Sequence, residues 1–102
     1  DFDLLRRAAA KAEELGIDYR VGNILASDVF YGDNAEEWKK WQKMGVLAVE
    51  MEATALYMNA ARAGKKALCI CTISDSLVHG TACSAEERQT SFTNMMEIAF
   101  NI

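Results

Sequence analysis

The residues with the most chemical potential in this sequence are acids placed at the ends of apolar runs. In Val46-Leu47-Ala48-Val49-Glu50-Met51-Glu52, two carboxylates follow a buried-looking stretch. If the strand continues, its alternation sets Glu50 and Glu52 on the same side. Buried carboxylates are costly unless donors satisfy them. A sugar diol suits the pair, because an ionised carboxylate only accepts hydrogen bonds and two vicinal hydroxyls can donate to one bidentately. The ordinary alternative stands beside this reading: Glu52 enriches the first turn of a helix with negative charge, and Glu50 is solvated.

The second acid is Asp75, which ends Ile70-Cys71-Thr72-Ile73-Ser74-Asp75. An Asp there is commonly a turn initiator or cap. A guanidinium nearby changes the balance. In a helix following this segment, Arg88, Phe92, Met95, Met96 and Ala99 share one face, so a permanent cation lies on the stripe that faces the core. Asp75 is the nearest anion at that end of the sheet. Such a pair would let Arg88 tune when Asp75 holds or gives up a proton. The alternative has Arg88 snorkelling its head to water.

The remaining chemistry-bearing types are less pointed. His79 stands alone after Asp75, without a partner at motif spacing, and reads as a surface loop residue. Phe30 and Tyr31 end an apolar run, where aromatics pack or stack on a planar base. Cys69, Cys71 and Cys83 are odd in number and give neither a disulfide framework nor a zinc spacing. They read as buried or incidental thiols. No glycine-rich phosphate cradle is present.

The elements that must position these residues alternate in type, with a glycine at each change. Residues 3–15 have helical spacing of Leu4, Leu5, Ala8, Ala12 and Leu15 and stop at Gly16. Residues 19–31 read as strand. Asn34 with Glu37 caps a second helix whose stripe is Trp38, Trp41 and Met44, ended by Gly45. A short strand, 46–49, precedes a third helix over 52–63, with Ala53, Leu56, Tyr57, Ala60 and Ala61 on one face and Gly64 after it. Residues 66–74 form the strongest buried-strand signal. Residues 75–83 read as a loop, and Ser84 with Glu87 forms a capping box for one last helix. Strands separated by helices imply an α/β layered fold with a parallel or mixed sheet, whose ligand sites lie at the carboxyl ends of strands.

The bulk numbers bound the rest. At 102 residues the chain is one domain at most, with a modest core. Hydrophobic residues make up 51% and charged residues 25%, and the formal charge of -4 gives no footprint for nucleic acid or an acidic membrane. No apolar run is long enough to span a bilayer, and the amino terminus lacks a basic flank and apolar signal core, so a cytoplasmic location is expected.

Four stretches in order, Arg20-Val21-Gly22-Asn23 with Phe30-Tyr31, Val49-Glu50-Met51-Glu52-Ala53, Thr72-Ile73-Ser74-Asp75, and Ala85-Glu86-Glu87-Arg88-Gln89-Thr90-Ser91-Phe92, resemble the hexameric, DeoD-type purine nucleoside phosphorylases. The resemblance covers the carboxy-terminal part of that family's single domain, here residues 1–102, and implies a three-layer fold with a mixed central sheet flanked by helices. It implies that Phe30 and Val49 line a base pocket, Met51 packs under the ribose, Glu50 and Glu52 bind its hydroxyls, and Ser74 neighbours the base. Asp75 would be the general acid that protonates purine N7, with Arg88 helping it deliver the proton. The implied reaction is reversible phosphorolysis of purine ribonucleosides or 2'-deoxyribonucleosides, needing phosphate as co-substrate and neither metal nor organic cofactor. A homohexamer is implied as well.

Two departures accompany the resemblance. Ser76 stands where close relatives often carry His, which leaves the base preference open. The family's phosphate-binding glycine and arginines, and the residues lent by a neighbouring subunit, belong to an amino-terminal region not found in this sequence, whose first helix is internal to the family fold. The expectation is that the chain as it stands does not bind phosphate productively. A nucleosidase, and an inactive module that only oligomerises, are the alternative readings. The Glu87-Arg88-Gln89 context argues against the nucleosidase.

Overall fold

The computed structural model of the chain describes residues 1–30, 32–90 and 92–102. Tyr31, a candidate for base stacking, and Ser91, within the last matching stretch, lie outside the described residues. The chain gathers into two compact units, Asp1–Arg20 with Leu68–Ile102, and Val21–Ala67.

The first unit opens with helix α1, Phe2–Glu14. The Asp1 carboxylate accepts the Leu4 N–H at 2.9 Å, satisfying one of the amides a helix start leaves without an internal partner. The helix ends where Gly16 adopts φ +67, with Ile17 N–H donating to Ala12 and Gly16 N–H donating to Glu13. Its inner face buries Ala8 and Ala12 against Ile98, with Ile17, Tyr19, Leu68, Ile70 and Ile102 packed around them. This cluster is the core of the unit.

The second unit is a β-α-β-α run: strand β1 (Ile24–Ala26), helix α2 (Trp38–Lys43), strand β2 (Ala48–Glu50) and helix α3 (Ala53–Arg62). The strands pair in parallel, Ile24 opposite Ala48, Leu25 opposite Val49 and Ala26 opposite Glu50. Leu47 N–H to Asn23 O and Ser27 N–H to Glu50 O extend the ladder by one bond at each end. Among the described residues, the run predicted over 19–31 is therefore a strand only at 24–26. Its partner sets that limit: the Val46 N–H is taken by Trp41 O at the end of α2, and beyond Glu50 the backbone turns into α3.

Four further expectations are corrected. The predicted strand 66–74 carries no ladder among the described residues. Its apolar side chains supply burial, with Leu68 and Ile70 against the core, but a strand also needs a partner for its backbone. The predicted loop contains an antiparallel pair, β3 (Asp75–Ser76) with β4 (Thr81–Ala82). The predicted last helix is two, α4 (Ala85–Thr90) and α5 (Thr93–Phe100). The break resets the helical phase, so Phe92, Met95 and Ile98 turn inward while Ala99 is exposed. Asn34 likewise caps a turn, its side-chain oxygen accepting the Glu36 N–H at 3.0 Å, and α2 starts only at Trp38.

The architecture is α/β, with one parallel and one antiparallel two-stranded sheet among the described residues. The helices position the chemistry: α3 rises directly from the end of β2, and α4 directly follows β4.

Candidate functional site

Asp75 and Arg88 meet in the first unit. Arg88 Nη2 donates to Asp75 Oδ1 at 2.7 Å, and Arg88 Nε lies 3.3 Å from the Cys83 carbonyl, to which it donates. Cys83 N–H also donates to Asp75 Oδ1 at 3.3 Å and to Ser74 O at 2.9 Å. The hairpin therefore sets Asp75 beside Cys83, and the capping box starts α4, the short helix that carries Arg88. That box is reciprocal: Ser84 N–H donates to Glu87 Oε1 at 3.2 Å and Glu87 N–H to Ser84 Oγ at 3.1 Å. The side chains of Arg88 and Asp75 remain 43% and 34% accessible, so the pair is open to a ligand rather than sealed in a core. Both hydrogen bonds fall on Oδ1. The neighbouring Ser74 is half-buried at the same strand end.

The Arg88 stripe predicted from a single long helix is absent, since α4 and α5 are separate, yet the ion pair forms. Arg88 is exposed and reaches Asp75 from the short helix after the hairpin rather than from a core-facing stripe. His79 sits in the hairpin turn, exposed, its backbone N–H donating to Ser76 Oγ at 3.2 Å.

In the second unit, Glu50 and Glu52 do not share a strand face. β2 ends at Glu50, and Glu52 occupies the residue before α3 with φ −123 and ψ −16. Glu50 Oε2 accepts two backbone amides, Glu52 N–H at 2.6 Å and Ala53 N–H at 2.7 Å, and so holds the N-terminus of α3 with its partial positive charge. Glu50 Oε1 is buried and lacks a hydrogen-bond partner among the described residues. A buried carboxylate oxygen in that condition calls for a donor. Glu52 is exposed.

At the carboxyl ends of β1 and β2 lies a depression of about 540 Å³ lined by Ala26, Asp28, Met51, Thr54, Ala55 and Met58. Its location follows the strand-end rule for open α/β sheets. Met51, which the resemblance implies packs under a ribose, lines it. Asp28 and Thr54 were missed; the signal was the Ser27-Asp28 turn, in which Val29 N–H donates to Ser27 Oγ at 3.2 Å. Val49 and Phe30 are exposed, at 48% and 67%, and neither lines this depression. Among the described residues no group of three or more His, Cys, Asp or Glu side chains is arranged to hold a metal ion.

Comparison with known proteins supplies the context for these two clusters. The family model described as the phosphorylase superfamily matches residues 1–102. A DeoD-type purine nucleoside phosphorylase of Clostridium beijerinckii is 57% identical over 100 residues, covering 98% of this chain and 42% of the relative. The proteins of the same name from Caldanaerobacter subterraneus and Clostridium novyi are 56% and 50% identical over 101 residues, each covering 99% of this chain and 44% and 43% of the relative. The chain thus spans less than half the length of the curated relatives it matches.

Proposed function

The chain belongs to the phosphorylase superfamily, and from that premise we propose that it carries the ribose- and base-binding half of a purine nucleoside phosphorylase site. The reaction is reversible phosphorolysis: phosphate attacks the anomeric carbon of a purine (2'-deoxy)ribonucleoside as the glycosidic bond loosens, giving free base and (2-deoxy)ribose 1-phosphate. Negative charge grows on the departing purine, and a proton delivered to N7 relieves it. Asp75 is the proton donor, with Ser74 beside the base. Arg88 positions the Asp75 carboxyl and stabilises its anion once the proton has left.

The observation that carries this reading is the 2.7 Å contact between Arg88 and Asp75 on an accessible strand end. Glu50 supports the sugar subsite, because its Oε2 is fixed by α3 while the buried Oε1 needs a donor such as a ribose hydroxyl. Glu52 supplies the second acceptor, Met51 an apolar floor, and Phe30 and Val49 the wall of the base pocket. No metal or organic cofactor enters the scheme.

In the intact protein, β1 and β2 are strands of a mixed central sheet between helical layers, and residues 1–102 form the carboxy-terminal part of one domain. A two-stranded parallel sheet on its own is unusual, since parallel strands are ordinarily covered on both faces, which supports the larger sheet. Exposed Val29, Phe30 and Ile73 support a homo-oligomer, hexameric as the family resemblance implies. The location is cytoplasmic, a reading supported by three cysteines held as thiols; no helix among the described residues is long and apolar enough to cross a membrane.

The test is purine release from inosine and adenosine with and without phosphate, run beside inosine binding to the same sample. Phosphate-dependent release is expected once the phosphate half of the site is supplied. Release independent of phosphate would replace the phosphorylase with a nucleosidase. Inosine binding without release leaves this chain as the binding half, and neither binding nor release overturns the proposal for this chain.

A further inference from the structure

Cys69 and Cys71 flank Ile70 in the extended segment that leads to Ser74 and Asp75, and their Sγ atoms lie 3.5 Å apart. Residues two apart in an extended backbone project to the same side, so the two thiols face each other while Ile70 turns to the core cluster. Cys71 is exposed and Cys69 half-buried, which gives the pair an outer thiol open to solution and an inner thiol adjacent to it. Cys83 is not part of this contact.

We propose that Cys69 and Cys71 form a dithiol site that reacts with low-molecular-weight disulfides of the glutathione type, closing to an intramolecular disulfide. The Cys71 thiolate attacks one sulfur of the disulfide RSSR; the S–S bond of RSSR breaks, one thiolate RS⁻ leaves, and a mixed disulfide forms on Cys71. The Cys69 thiolate then attacks Cys71 Sγ, the mixed disulfide breaks, and a second RS⁻ leaves. The two cysteine protons pass to the two released thiolates, so the protein loses two electrons and RSSR is reduced to two RSH.

Closure requires the sulfurs to approach from 3.5 Å to a bond length of about 2.05 Å. A segment outside any strand ladder among the described residues can bend to allow this, whereas a central strand would resist. The pair is also local: only Ile70 separates the two cysteines, so closure needs bending of this one segment and no distant rearrangement. The proposal is independent of the phosphorylase reading.

The experiment incubates the whole chain in glutathione buffers of graded oxidised-to-reduced ratio, quenches with an alkylating reagent, and reads intact mass and peptide maps. The expected result is loss of two of the three alkylatable thiols, with a peptide linked between Cys69 and Cys71 and Cys83 still alkylated. In Cys69→Ser the glutathione adduct should persist on Cys71, because the resolving thiol is gone, and Cys83→Ser should behave as the parent chain. Linkage of Cys83 to either other cysteine, a persistent adduct on Cys71 in the parent chain, or closure only after denaturation would each overturn the proposal.

Discussion

At the scale of single residues, two carboxylates take different roles because their environments differ. Asp75 is offered to solution with one oxygen held by a guanidinium and a backbone amide, whereas Glu50 is tied to a helix end. In an active assembly containing this chain, Arg88→Ala is expected to lower kcat about a hundredfold, the scale of a general acid left poorly placed, with KM little changed. Steady-state kinetics check this, and wild-type kcat in the variant would remove Arg88 from the mechanism. Glu50→Ala is expected to destabilise the second unit by about 1 kcal/mol through loss of the two amide contacts at α3, read by denaturant melts. Tyr19 gives the pH-dependent case: its hydroxyl donates to Glu13 at 2.6 Å, and that hydrogen bond raises its pKa above the usual tyrosine value, with desolvation and the Glu13 charge adding to it. Because the folded pKa is raised, the bond's contribution is fully present below about pH 10 and is lost as pH climbs through the higher folded value. An ultraviolet phenolate titration should show Tyr19 ionising late, and Glu13→Gln should bring it back toward the usual tyrosine value.

At the scale of elements, local sequence signals marked where α1, α2 and α3 stop and where α4 starts, but neither the start of α2 at Trp38 nor the break between α4 and α5. Gly16, Gly45 and Gly64 each end a helix at positive φ with the same pair of bonds, the residue after each glycine donating to the carbonyl five positions back. At Gly64 the Lys65 N–H to Ala60 O bond is 2.8 Å, and Gly64→Ala is expected to cost about 1–2 kcal/mol, because a side chain disfavours the left-handed backbone. The Ser84 and Glu87 box was legible for the same reason, being a contact between residues three apart. Ser84→Ala should cost about 1 kcal/mol and speed amide exchange at the start of α4. Strands were legible only as apolar runs. Among the described residues, 66–74 have the composition of a buried strand without a ladder and 19–31 pair over three positions, because pairing is decided by a distant segment and not by the run itself. Asp75–Ser76 with Thr81–Ala82 escaped notice since four residues carry too little periodicity to mark a hairpin.

At the scale of the whole molecule, much apolar surface stays in contact with solvent, Phe100 at 85% and Phe30 at 67% among it, while the buried apolar residues among those described are small except for Ile98. Such surface favours association, and sedimentation at increasing concentration is expected to show oligomers of this chain; a stable monomer across the range would count against the oligomer proposed above. The sequence by itself determined the helix stops at Gly16, Gly45 and Gly64, the capping box of Ser84 and Glu87, the family, and the candidate pairing of Asp75 with Arg88, all of which rest on side-chain type at short spacing or on motifs kept in order. Tertiary structure alone decided which apolar runs pair as strands, that Glu50 turns to the α3 amides while Glu52 faces water, and that Asp28 and Thr54 join Met51 at one strand end. These depend on which backbone groups find partners far along the chain, and a buried hydrogen-bonding group is settled by the partner it meets and not by its own identity.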